Sequence, residues 1–256
     1  MIGNAPAIDI DRLELAAELV RQVGELTLAR FGQADLRVDH KGDGSPVTDA
    51  DRAAEEFLRV ELGRRFPHDT IIGEELADTI GSSPDTWTID PIDGTQSFAR
   101  RVPLFTNLLA LTDEHGPAIG VINAPAAGEL VVAGRGRGCT ANGERCRVST
   151  TREVAGSLIT TSGYDYWDEA AMAPVHRSGA SLRTWGDGYG YVMLATGRAD
   201  VVIDPGLQAW DVAPMNVVVP ESGGTITGFD GRPIGGAGNV VATNGLLHDA
   251  ALRLVA

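Results

Sequence analysis

Trp87-Thr88-Ile89-Asp90-Pro91-Ile92-Asp93-Gly94-Thr95 is the stretch on which the reading of this chain turns. An apolar strand pattern ends in two acids three residues apart, and a Gly and a Thr follow where a helix could begin. Hard divalent cations take oxygen ligands, often one or two carboxylates together with substrate phosphates. A helix or turn N-terminus presents free backbone N–H groups to an anion. The segment therefore implies metal-assisted chemistry on a phosphate ester, with Asp90 and Asp93 on the cation and Gly94 and Thr95 at the anion.

The bulk properties permit this. The chain has 256 residues, 43% of them hydrophobic and 22% charged, an ordinary globular composition long enough for a large core. No apolar run approaches the roughly 18–20 residues that cross a bilayer. Met1–Pro6 lacks the basic and apolar regions of a signal peptide, so the expectation is a cytoplasmic protein without a membrane partner. The net charge is −14, from 35 acids against 21 bases, which argues against nucleic acid as a partner. Arg135, Arg137, Arg145 and Arg147 are dispersed through a glycine-rich hairpin region and form no basic stripe. Cys139 and Cys146 match no zinc spacing, and the five histidines are scattered singly. Free thiols and carboxylate-bound magnesium are the readings that remain.

Helical periodicity runs from about Ile10 to Phe31, with Leu13, Ala16, Ala17, Val20, Val23, Thr27, Leu28 and Phe31 on one face, Asp9 or Asp11 at the start and Gly32 at the stop. After the Lys41–Pro46 loop, Thr48-Asp49-Ala50-Asp51 is a capping box opening a helix to about Phe66 that should bury Ala50, Ala53, Phe57 and Val60. A short strand, Thr70–Ile72, ends at Gly73-Glu74-Glu75. Beyond Thr95, strands at Thr106–Thr112, Ala118–Asn123 and Leu130–Ala133, with the hairpin signal Asn142-Gly143, predict an antiparallel meander. Past Ser157 the pattern alternates. Strands at Ser157–Thr161, Leu182–Trp185 and Val201–Ile203 separate helices at Asp168–His176, Tyr189–Thr196 and after Trp210, which predicts a second α/β sheet. Pro220 should kink or end the last of these helices early. The division expected is an N-terminal α+β half, residues 1–150, and a C-terminal α/β half, residues 151–256.

Asp51, Glu74, Glu75, Asp90, Asp93 and Asp211 all fall at the ends of predicted elements, where loops offer side chains to a site. Each has a plain structural reading of its own: Asp51 closes the capping box, Asp211 can cap a helix, and Glu75 can be a solvated charge. Together they favour one site.

Gly73-Glu74-Glu75, Asp90-Pro91-Ile92-Asp93-Gly94-Thr95, Trp210-Asp211-Val212-Ala213 and Glu221-Ser222-Gly223-Gly224 resemble the inositol monophosphatase family of magnesium-dependent phosphatases, in order and spacing over nearly the whole chain. The resemblance implies an α/β/α/β/α sandwich of the inositol monophosphatase and fructose-bisphosphatase type, often a homodimer, acting on a small phosphate monoester with two or three Mg²⁺ ions. It further implies that Glu74, Asp90, Asp93, Asp211 and the Ile92 carbonyl hold metal. Asp51 and Thr95, with Glu74, act in catalysis, and the Gly94 and Thr95 N–H groups bind phosphate. Lys41 lies near the site. The chemistry suits these roles, because cations neutralise the ester dianion, activate water and stabilise the leaving alkoxide. No C-x5-R loop for a cysteine nucleophile is present.

Arg183-Thr184-Trp185-Gly186-Asp187-Gly188-Tyr189-Gly190-Tyr191 resembles the branch of the family that acts on L-histidinol phosphate. There Asp187 would pair with a substrate ammonium, Asp204 would contact the substrate hydroxyl or amine, and Arg183 and Tyr189 would border the substrate. Asp187 as a helix N-cap is the structural alternative. Gln96, where that branch usually has Lys, and Gly188 and Gly190, which would widen the pocket, leave room for a different polar phosphate such as an amino-sugar, cyclitol or nucleoside phosphate, and inositol 1-phosphate or a related sugar phosphate is the alternative substrate. A regulatory or RNA-associated member of the family is the alternative of a different class.

Overall fold

The computed structural model describes residues 5–42 and 44–256. Most of the segment read for a leader, Met1–Asn4, and Asp43 of the Lys41–Pro46 loop lie outside the described residues. The first third of the chain contains α1 (Ile10–Arg30), the small hairpin β1 (Val38–His40) and β2 (Pro46–Thr48), α2 (Asp49–Arg65), β3 (Thr70–Gly73), β4 (Thr86–Asp93) and α3 (Thr95–Ala99). The meander follows as β5 (Thr106–Asp113), β6 (Gly116–Ala124), β7 (Glu129–Gly134), β8 (Gly138–Ala141) and β9 (Glu144–Arg145). The rest comprises β10 (Leu158–Thr160), α4 (Glu169–Arg177), β11 (Ser181–Arg183), α5 (Asp187–Ala195), β12 (Val201–Leu207), α6 (Ala209–Glu221), β13 (Thr225–Gly228), β14 (Gly238–Thr243) and α7 (His248–Val255).

Strands β3 to β9 form a seven-stranded sheet in sequence order, antiparallel except for the β3–β4 pair. The second sheet has five strands in the order β11-β10-β12-β14-β13. Helices α1 and α2 pack on the outer side of the first sheet, α5 and α6 touch both sheets, and α4 and α7 pack together beside the second. The result is the expected five-layer α/β/α/β/α sandwich. One apolar cluster joins Leu19, Val20 and Leu58 of the outer helices to Trp87, Leu109 and Val121 of the first sheet. Another joins that sheet, through Ile122 and Val131, to Val192 and Val218 of the middle helices and Val202 and Val240 of the second sheet.

The outer helices correct two assignments of face. In α1 Leu19 is buried and Leu28 exposed. In α2 the buried set is Ala50, Asp51, Ala54, Glu55, Leu58 and Leu62, while Ala53 and Val60 face outward. An apolar count misplaces this face by one residue because the buried stripe itself carries two acids. Pro220 does not end α6 early. The helix runs to Glu221 because a proline at the penultimate position removes only the bond to the Asn216 carbonyl. Backbone bonds from Ser222 N–H to Val218 (3.0 Å) and Gly224 N–H to Val219 (2.8 Å) close the end. The strand expected at Leu182–Trp185 is Ser181–Arg183, and α5 starts two residues earlier than its apolar pattern suggests.

Two Asp-Pro bulges aim acids at the middle layer. In β4, Asp90 pairs with Leu108 and Asp93 with Thr106, so Pro91 and Ile92 face the single residue Asn107. Residues three apart in a regular strand point to opposite faces, and one extra residue returns them to the same face. Proline is tolerated there because a bulge needs no N–H from it, and its carbonyl accepts from Asn107 Nδ2 (2.7 Å). In β12, Asp204 pairs with Val240 and Leu207 with Gly238, with Pro205 and Gly206 opposite Asn239.

Close approach of α6 to the first sheet depends on Gly120, where a Cβ would lie 2.3 Å from the Pro214 carbonyl oxygen. Gly120→Ala should force these layers apart and cost roughly 2 kcal/mol or more, read as a melting temperature lower by roughly 5 °C. An unchanged melting temperature would show that the layers are not held at this contact.

Candidate active site

Four elements converge at one point between the sheets. The β4 bulge supplies Asp90 and Asp93, the first turn of α6 supplies Asp211, the turn after β3 supplies Glu74, and the first turn of α2 supplies Asp51. One carboxylate oxygen each from Asp90, Asp93 and Asp211 lies within 4.8 Å of the others, a spacing that one divalent cation can bridge.

Each of three acids spends one oxygen on the scaffold. Asp51 Oδ2 accepts from Thr48 N–H (2.8 Å), completing the capping box of α2. Asp211 Oδ2 accepts from Gln208 N–H (2.7 Å) in a second capping box. Asp93 Oδ2 accepts from the Thr106 hydroxyl (3.0 Å) and from Gly188 N–H. The cap and the site are thus the same residues, with one oxygen for each purpose. Asp90 Oδ1 is buried without a hydrogen-bond partner. An unpartnered buried carboxylate oxygen among like charges fits a group that waits for a cation.

The electrostatics agree. Burial, with Glu74, Asp93 and Asp211 adding their charge, pushes Asp90 well above the usual carboxylate range. Burial, then Asp187 and Asp211, does the same to Asp93. Burial lifts Asp51 and Asp211 to about 6. Glu74 stands beside this cluster and pairs with Lys41, whose ammonium lies 2.5 Å from Glu74 and 2.8 Å from Glu75. Burial opposes that charge, but the two glutamates outweigh it and hold Lys41 protonated. Glu75, lifted to about 7 chiefly by burial, is a partner of Lys41 and not a solvated surface charge.

Gly94 adopts a left-handed conformation (φ 81°) between β4 and α3, and no side chain caps that helix start. The Thr95 hydroxyl donates to the Ile92 carbonyl (2.9 Å) and lies 3.4 Å from Asp51 Oδ1. Asp187 faces this turn, because a Cβ on Gly94 would lie 3.0 Å from Asp187 Oδ2. Asp187 is not an N-cap: Gly186 takes that place and no side chain caps the helix. Instead Asp187 is held at φ 50°, a region Asp enters more readily than most residues, and its N–H donates to Ser162 Oγ (2.8 Å). Ser162 N–H in turn donates to Asp204 Oδ1 (2.6 Å), linking the two acids. Burial and the Asp204 and Asp211 charges lift Asp187 to about 7, and burial lifts Asp204 to about 6.

Two residues read as substrate contacts have side-chain partners outside this cluster. The Tyr189 hydroxyl donates to Glu129 (3.1 Å) with Arg198 over its ring. Arg183 is exposed over Trp185 and donates to the Leu182 carbonyl (2.7 Å). Gly188 does not widen a pocket: a Cβ there would lie 2.2 Å from Thr106 Oγ1 and 2.8 Å from Asp93 Oδ2. Its lack of a side chain lets the α5 backbone reach Asp93. Gly190 is likewise packed, against the Trp185 carbonyl and Thr160. Tyr191, the second tyrosine of the Arg183–Tyr191 stretch, is buried, with its phenol pushed up by burial and by Asp204 and Asp211.

Glu55 was missed. Fully buried, it accepts from Arg59 Nε (2.7 Å), from Glu75 N–H (2.7 Å) and from Leu76 N–H (3.2 Å). Arg59 completes the clamp by donating to the Ile71 and Leu76 carbonyls. This pair fixes the turn that carries Glu74. The available signal was the i, i+4 spacing of Asp51 and Glu55 with Arg59 one turn further.

The Inositol monophosphatase family profile matches residues 10–256, and the chain belongs to that family. Its relatives include a histidinol-phosphatase of Mycobacterium tuberculosis, 39% identical over 251 residues with 94% of this chain and 96% of that protein covered. A histidinol-phosphatase of Chlorobaculum parvum is 40% identical over 240 residues, covering 91% and 93%. Among solved structures, the Thermotoga maritima IMPase superposes with a TM-score of 0.88 at 30% identity, covering 96% of this chain and 97% of that one.

Glu55→Gln keeps the side chain's shape but turns one acceptor into a donor that faces an N–H. Calorimetric Mg²⁺ titration should show affinity weakened about tenfold with the fold retained, whereas wild-type affinity would contradict a supporting role for Glu55. Ionisable groups in the site also set a pH trend. Acids raised in the folded state stay protonated while their unfolded counterparts ionise, so the metal-free protein loses stability as pH rises from about 4 to about 7. Asp93→Asn removes one of these acids, and its melting temperature should fall less across that window. Parallel curves for the two proteins would contradict the cluster's charge state.

Proposed function

We propose that the protein is a Mg²⁺-dependent phosphatase that hydrolyses L-histidinol phosphate to L-histidinol, a step of histidine biosynthesis. Membership of the family and the histidinol-phosphatase relatives make the chain a phosphoric monoester hydrolase. The observation that carries the substrate is Asp187, whose carboxylate faces Gly94 at the proposed phosphate cradle with Asp204 joined to it through Ser162. A buried pair of acids beside the phosphate suits an ester that bears an ammonium, and offers a neutral polyol no matching charge.

Glu74, Asp90, Asp93, Asp211 and the Ile92 carbonyl would hold two or three Mg²⁺ ions. The cations supply Lewis-acid neutralisation of the ester charge and lower the pKa of water. The chain's own groups do the rest. Gly94 and Thr95 N–H groups bind the phosphoryl oxygens at the uncapped start of α3. The Thr95 hydroxyl, anchored on the Ile92 carbonyl, and Asp51 orient the attacking water. Asp51, lifted to about 6, accepts the proton that leaves it near neutral pH. Asp187 neutralises and positions the substrate ammonium, which in turn favours its ionised form. The family resemblance also supports a homodimer, with a cytoplasmic location as the accompanying reading, and the net charge of −14 disfavours nucleic acid and anionic membrane as partners. Among the described residues no helix is long and apolar enough to cross a membrane.

A panel of phosphate esters tests the reading. Wild-type kcat/KM should be highest for L-histidinol phosphate, and Asp187→Asn should lower it by about tenfold or more while changing the value for inositol 1-phosphate by less than about threefold. Equal preference for the two esters, or equal losses in the variant, would overturn the substrate assignment and leave the phosphatase chemistry in place.

A further inference from the structure

Cys139 and Cys146 are the chain's two cysteines, and neither has a place in the hydrolytic site. The β8–β9 register pairs Thr140 with Arg145 and Ala141 with Glu144, and one further step sets Cys139 opposite Cys146. Cys146 N–H donates to the Cys139 carbonyl (3.2 Å), so the pairing continues past the last residue of β9. The two sulfurs lie 3.4 Å apart. Directly opposed residues of an antiparallel pair have Cα separations of about 4.5–5.5 Å, inside the range that a disulfide spans. Forming the bond therefore asks for side-chain rotation and no relocation of a strand.

The environments differ in a way that sets an order of events. Cys139 is buried in the cluster between the first sheet and α6, while Cys146 is half-buried and can be reached from solvent. The Cys139 thiol is pushed up by its bond to Cys146 and by burial, and the Cys146 thiol is lowered by the same bond, so Cys146 ionises first. A thiolate that can be reached, beside a second thiol already in place, is the arrangement of a sulfur that is oxidised and then resolved.

We propose that Cys139 and Cys146 form a hydroperoxide-sensitive dithiol that closes to an intrachain disulfide. The Cys146 thiolate attacks the peroxide, an S–O bond forms and the O–O bond breaks, and alkoxide or hydroxide leaves and takes a proton. The Cys139 sulfur then displaces hydroxide from the Cys146 sulfenic acid, which leaves as water while the Cys139 proton goes to solvent. Two thiols lose two electrons in all, and the peroxide is reduced to water and the matching alcohol or a second water. The link braces the sheet edge where Glu221 of α6 accepts from Gly136 N–H (2.8 Å) and Gly138 N–H (2.6 Å), and where Val148 N–H donates to the Ser222 carbonyl (3.1 Å).

The test treats the intact Mg²⁺-loaded protein with a few equivalents of hydrogen peroxide and then alkylates it under denaturing conditions. Expected are a monomer lighter by two hydrogens, no alkylatable thiol, a crosslinked peptide joining Cys139 to Cys146, and a melting temperature higher by roughly 5 °C that dithiothreitol returns to its starting value. In Cys139→Ser, dimedone should trap a sulfenic acid on Cys146. Two thiols still alkylatable after treatment, sulfinic acid without the crosslink, or disulfides between chains would each overturn the proposal.

Discussion

Mutual repulsion among buried carboxylates governs this structure. Asp90, Asp93 and Asp211 present oxygens within 4.8 Å of one another at the junction of the two sheets, and Glu74 adds its charge from the next turn. Burying an ionised carboxylate without a partner is far more costly than any single hydrogen bond could offset. The layers can hold such a cluster only because it is over-determined by its surroundings, and because protons or divalent cations can occupy it. The same cost would give the site an affinity for cations, since a bound ion would turn several unfavourable interactions into favourable ones at once.

The scaffold meets that constraint by giving the acids two jobs. Asp51 and Asp211 each close a capping box with one oxygen, so the helices α2 and α6 are locked to the residues they deliver. Asp93 is tied to the α5 backbone through Gly188, which brings the middle layer into contact with the β4 bulge. Asp187 sits two residues into that same connection and is held in a left-handed conformation by Ser162. The carboxylate cluster and the acid proposed to select the substrate are thereby coupled through one short stretch of backbone, Gly186 to Gly188. Glu55 and Arg59 do for the Glu74 turn what the capping boxes do for the helices.

How much of this was legible depends on how local the cause was. The Asp90–Thr95 segment announces itself because strand, bulge proline, left-handed glycine and helix start are consecutive residues. The Thr48–Asp51 capping box and the Asn142–Gly143 hairpin were legible for the same reason. The inward face of α2 was not, because burial there follows two acids, Asp51 in its capping box and Glu55 bonded across the fold to the Glu75 and Leu76 N–H groups, and no apolar count can see them. Gly188 was misread as spare room because its neighbour, Asp93, is distant in sequence. Tyr189 and Tyr191, two positions apart on α5, point to different surroundings, and only packing separates the phenol near Asp204 from the one bonded to Glu129. The β13–β14 hairpin and α7 carry no motif that marked them in advance.

Anomalous diffraction from crystals soaked in Mn²⁺, an oxygen-preferring stand-in for Mg²⁺, interrogates the convergence directly. The expected result is a peak about 2 Å from free oxygens of Asp90, Asp93 and Asp211 at once, with Lys41 drawn away from Glu74 if a further ion binds there. A density map with metal only at surface acids, and Asp90 Oδ1 still without a partner, would contradict the claim that these carboxylates are assembled to share a cation.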